Sequence, residues 1–165
     1  MGRSARGELG SGLAGAASRS VLAKTAQDEL HDRCNAIEES YEYMLAYAAQ
    51  GVSGDPGSQT GGQVRDYLVR TDTALTDLAD VFRRLVVEAK VESADAYETF
   101  IRMLERDAQA AQAAIRLALA QPAISSQLVD NLNASIHVRT LLTDLFLVDE
   151  ILKQRRAKTD RVNPS

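Results

Sequence analysis

Apolar residues in this chain recur in steps of four and three, in long stretches separated by segments rich in glycine, proline and serine. Between residues 21 and 50 the stripe is Leu30, Cys34, Ile37, Tyr41, Met44 and Ala48. Between 63 and 91 it is Val64, Leu68, Thr71, Leu75, Leu78, Phe82, Leu85 and Ala89. A third stripe runs through Tyr97, Ile101, Leu104, Ala108, Ala111, Ile115 and Ala118, and a fourth through Leu128, Leu132, Val138, Leu141, Leu145, Val148 and Leu152. Side chains at that spacing share one face of an α-helix. The pattern predicts four helices, over about 21–50, 63–91, 93–121 and 125–156. Ser93, and Ser125 or Ser126, stand where a hydroxyl can accept from a free amide in a first turn. No run alternates with period two, so no strand is expected.

The four segments are matched in length, each about 28–30 residues or roughly 42 Å of helix. A 3.5-residue period held over several heptads suits rods packed about 20° apart. The short breaks after the second and third segments make antiparallel neighbours. The fold expected is therefore all-α, an up-down-up-down four-helix bundle filling residues 21–156. A flexible basic arm (1–20) precedes it and a basic tail (157–165) follows.

The fourth segment is too apolar for a single seam. In LLTDLFLVDEIL only Thr143, Asp144, Asp149 and Glu150 are polar, and Leu142, Phe146, Leu147 and Ile151 fall beside or behind the seam residues. A helix apolar around most of its girth is buried on more than one side. That points to a homo-oligomer formed through Leu142, Phe146, Leu147 and Ile151. The plainer reading is a wide core stripe with one or two surface leucines.

Composition sharpens the boundaries. At 165 residues and 17.9 kDa, 45% hydrophobic and 25% charged, the chain fits one soluble domain. Five of its ten glycines lie in the first fifteen residues, the other five between Gly51 and Gly62, and none follows. The segment GVSGDPGSQTGG reads as a flexible connection, longer than packing requires. A phosphate loop needs a preceding strand and a Lys-Ser/Thr pair, and this segment has neither. The net charge of −4 hides an asymmetry. Residues 1–20 carry +2 and residues 153–165 carry +4, which leaves −10 on the body between them. An acidic body repels phosphates, so the expected partner is a protein, a basic one by preference, rather than nucleic acid. No stretch is long and apolar enough for a membrane span. The lone Cys34 excludes an internal disulfide framework and suits a buried thiol in a reducing, cytoplasmic setting.

The usual chemistry is missing its parts. Carboxylate-bridged metal bundles need Glu-x-x-His on two helices. Glu29 lies only two residues before His31, and Ala134 stands three before His137. Nucleophilic triads need a serine or cysteine with a base and an orienting group; Ser135 lies two residues from His137, on another face. No catalytic residue, metal ligand or cofactor is expected, and a core that holds a small ligand has no polar anchor in the sequence.

Two features retain functional interest. In SIHVRTLLTDL, His137 falls just outside the Val138–Leu141–Leu145 seam, with Asn133 and Arg139 close in sequence. The segment resembles, over a few residues, the histidine box of sensor-kinase dimerisation domains, but without its acid, its proline and one residue of spacing. That makes His137 the alternative phosphoacceptor of a histidine phosphotransfer bundle, against a half-buried structural role. The first helix carries Glu38, Glu39 and Glu42 beside Tyr43 and Tyr47, an acidic face with outward tyrosines suited to docking a basic partner. The expected function is thus a non-catalytic adaptor, chaperone-like or regulatory bundle that acts by protein–protein interaction and self-association.

Overall fold

A computed structural model describes residues 24–54 and 56–162, with side chains described as far as Gln154 except Leu152. The proposed arm (1–20) and the last three residues of the tail lie outside the described residues. Six helices make up the fold, and no strand occurs among the described residues: α1 (Ala26–Ala48), α2 (Gln59–Leu75), α3 (Leu78–Glu88), α4 (Ala94–Leu119), α5 (Ser126–Ala134) and α6 (Ile136–Val162). The helical class is as expected. The four uninterrupted rods are not, because the second and fourth are each broken in two.

Side-chain caps set the starts of three helices. Thr25 caps α1 by accepting from the Asp28 amide, Ser58 caps α2 from the Gly61 amide, and Ser125 caps α5 from the Leu128 amide. The Ser58 cap starts α2 four residues earlier than expected and takes Gly61 and Gly62 into its first turn. Ser93 holds the N-cap place of α4, but its side chain makes no capping bond. At the other end α6 runs on to Val162, through residues expected to form a tail.

The break between α2 and α3 has no glycine or proline. Thr76 turns extended and Asp77 takes a left-handed conformation, φ 55°. Thr71, Thr73 and Thr76 each donate to the carbonyl four residues back, a habit that bends helices. The carbonyls freed at the break find partners on both flanks. From α1 the Arg33 guanidinium donates to Ala74 at 3.2 Å and also to Thr76. From α4 the buried Gln112 amide donates to the Asp72 carbonyl at 2.9 Å. The break between α5 and α6 falls at Ser135, whose ψ of 130° leaves the helical region.

Helices α1 and α4 each pack against α2, α3, α5 and α6. The seam residues read from the sequence form the core. Leu30, Ile37, Met44, Val64, Leu68, Phe82, Ile101, Leu104, Ala111, Ile115, Leu141, Leu145 and Val148 are all buried. Phe82 meets Tyr97 and Phe100 edge-on, tying α3 to α4. Arg83 adds a polar clasp on the same pair, reaching Asp80 at 2.7 Å and Glu105 at 2.9 Å.

The glycine segment is built rather than loose. Val52 and Ser126 bond reciprocally: the Ser126 amide donates to the Val52 carbonyl at 2.9 Å, and the Val52 amide to Ser126 Oγ at 3.1 Å. Ser126 Oγ donates in turn to the Tyr47 carbonyl at 2.6 Å, and the Tyr47 hydroxyl to the Ile124 carbonyl at 2.5 Å. Arg65 of α2 closes the other side by donating to the Leu119 and Gln121 carbonyls at the end of α4. The expectation of a flexible connection is therefore corrected over its described residues. Its length is used to lay the chain against the α4–α5 turn.

Candidate functional site

The acidic face expected on α1 divides between two neighbours. Glu39 turns towards α2, where it pairs with Arg70 at 2.6 Å. Glu38 is half-buried on the α6 side; burial, and then the Asp149 carboxylate, hold its carboxyl above the usual range. Glu42 is exposed. Tyr43 is half-buried, stacked on Tyr67 of α2 with ring centres 4.0 Å apart. Tyr47 is fully buried and serves the loop network already described. Outward placement of Tyr47 is thus corrected: the α4–α5 turn covers that end of α1, which no pattern within α1 reveals. Burial pushes both tyrosine hydroxyls above their ordinary value.

The four residues expected at an oligomer interface also divide. Leu142 is buried, 6% exposed, so it belongs to the internal core. Ile151 is half-buried. Phe146 and Leu147 are 58% and 51% exposed, and no described side chain covers them. On the same helix Ile136 is 72% exposed. The outer face of α6 therefore presents two large apolar side chains next to each other in mid-helix.

His137 lies exposed in the first turn of α6, and Arg139 is exposed two residues on. The half-buried structural role for His137 is corrected by that exposure. Asn133, read as its companion, is instead buried. Cys34 is buried, and burial, with Glu38 and Asp149, pushes its thiol up to about 12. A thiol so unwilling to ionise is a poor nucleophile. Among the described residues no group of three or more histidine, cysteine, aspartate or glutamate side chains converges on a metal position. Nor is any described helix long and apolar enough to cross a membrane.

A polar group that sequence reasoning passed over lies in the core. Asp144 of α6 is only 6% exposed and faces Asp107 of α4. Burial first, and then Asp107, hold its carboxyl up at about 6. Its Oδ2 has no hydrogen-bond partner, and neither has the amide oxygen or nitrogen of buried Asn133 on α5. A signal was present: Asp144 comes three residues after Leu141 and four before Val148, which places it on the core face of the helix.

No family model, curated protein or solved structure matches this chain.

Proposed function

We propose that the protein is a non-catalytic helical scaffold that self-associates and binds other proteins through the outer face of α6. Its six helices then act as a four-rod bundle in which two rods are interrupted. The observation that carries this reading is the exposure of Phe146 and Leu147, side by side on a helix whose other face already fills the core. Large apolar side chains clustered on a surface mark association sites more often than isolated ones do. The acidic α1 face contributes a smaller second surface through Glu39, Glu42 and Tyr43. The reading is tested by placing a photo-crosslinking amino acid at Leu147 in the full chain. Products of twice the chain mass, joined through α6, are expected. Only uncrosslinked chain at micromolar concentration contradicts self-association through this face.

The exposure of His137 favours one second reading, a phosphotransfer bundle. A histidine that receives a phosphoryl group must meet its donor, and this one is accessible. Incubation with a small phosphodonor separates the readings: label lost in His137→Ala supports phosphotransfer, and absence of label supports the scaffold.

A further inference from the structure

An open groove of about 490 Å³ lies on α4, lined by Ala96, Thr99, Phe100, Arg102, Met103 and Arg106. Phe100 is half-buried and Met103 is 43% exposed, which gives the groove an apolar surface. Exposed Arg102 and Arg106, one helical turn apart, give it charge. Arg33, Arg70, Arg83, Arg84 and Arg116 each hold a carboxylate of this chain, whereas Arg102 and Arg106 hold none among the described residues. The apolar surface continues along the helix. Met103, Ala110 and Leu117 recur every seven residues, and Leu117 is 68% exposed. The core face of α4, through Ile101, Leu104, Ala108 and Ile115, is already buried. So α4 carries a second apolar stripe that the chain itself leaves open.

An occupant that suits this groove is apolar and brings a carboxylate to the two arginines. The basic ends of the chain do not suit it, since residues 1–20 carry +2 and residues 153–165 carry +4. The outer face of α6 does. Phe146 and Leu147 are exposed there, and exposed Glu150 follows within one turn. Glu150 accepts from the Gln154 amide at 3.2 Å and meets no cation among the described residues.

We propose that the α4 groove receives α6 of a second copy of this chain. Phe146 and Leu147 enter against Phe100 and Met103, and Glu150 pairs with Arg102 and Arg106. The inference rests on self-association through α6 and names the surface that receives it. Because α4 and α6 pack against each other, one two-fold axis can seat α6 of each copy in the groove of the other. Both contacts then form twice, and the assembly closes at two copies instead of growing into a filament.

Sedimentation velocity of the full chain with exchanged charges tests the pairing. Arg102→Glu with Arg106→Glu sets like charges against Glu150, and Glu150→Arg does so from the other side. Each is expected to weaken the dimer by about tenfold or more. Combining all three changes sets opposite charges face to face again and is expected to restore association to the wild-type level. A monomeric wild type overturns self-association itself, and this inference with it. A dimeric wild type whose charge variants dimerise equally well, or a triple variant as weak as its parents, overturns the groove alone. All three side chains are exposed, and circular dichroism checks that the variants fold. Where a reversal costs the fold, the photo-crosslinker at Leu147 decides. In products of twice the chain mass it is expected on residues 96–106 of the second copy, and attachment only to the second α6 overturns the groove.

Discussion

Gly54 shows how tightly single residues are held at the capped end of the molecule. It is buried, its φ is 71°, and a Cβ there would run into the Ile124 carbonyl and the Ser125 amide. Backbone on both sides of that contact is fixed by the Val52–Ser126 pair and by the Tyr47 hydroxyl, so it has little freedom to retreat. Gly54→Ala is expected to destabilise the fold by about 3 kcal/mol or more, combining left-handed strain with overpacking. Gly57 has a similar φ, 85°, but open space around it, so Gly57→Ala carries the strain alone, about 1 kcal/mol. Urea titration of the two variants checks the difference. Asp144 makes a second residue-scale prediction. Its folded carboxyl titrates near 6, above its ordinary 3.8, so the folded state binds the extra proton between those values. Stability attributable to Asp144 is therefore greatest at acid pH and falls as pH rises through that window. Glu29 works in the opposite sense. Its carboxyl is held below the usual range, chiefly by Arg84 and then Arg33, so its contribution is present above the usual value and lost as pH falls. Comparing the unfolding of wild type and Asp144→Asn at several pH values isolates the first effect, with the variant gaining relative to wild type as pH rises.

At the scale of elements, the helical faces were legible from spacing, and the breaks were not. Heptad steps identified the core positions of α1 to α4 because burial follows the period of the helix, whatever the neighbours are. The α2–α3 break escapes such reading because TDTALTDLAD carries no glycine or proline. What makes the break tolerable is Arg33, more than forty residues earlier, and Gln112, more than thirty later. Tyr47 was misplaced for a related reason: the chain that buries it, around Ile124, arrives from a distant loop. The apolar residues on α6 were half legible, since a greasy helix announces excess apolar surface but not which leucine the core takes. Gln112→Ala leaves the Asp72 carbonyl without its flanking donor. It is expected to cost about 1–3 kcal/mol and to raise hydrogen exchange around residues 72–80 more than elsewhere. A uniform increase across the chain would mean that Gln112 acts as ordinary core rather than as the brace of the break.

Across the whole molecule the stitched and the less well satisfied parts lie apart. Salt bridges and carbonyl-capping arginines tie α1, α2, α3 and α4 together through Arg33, Arg65, Arg70, Arg83 and Arg116. The unpartnered buried atoms and the exposed Phe146 and Leu147 all fall on α5 and α6. That asymmetry fits a scaffold with a braced body and one helix reserved for contact. Sedimentation velocity of the full chain, wild type beside Phe146→Asp with Leu147→Asp, tests the central claim most directly. The account predicts a wild-type chain that sediments as a dimer or larger at micromolar concentration, and a folded, monomeric double variant. A wild type that remains monomeric across that range, or a double variant that associates as the wild type does, contradicts it.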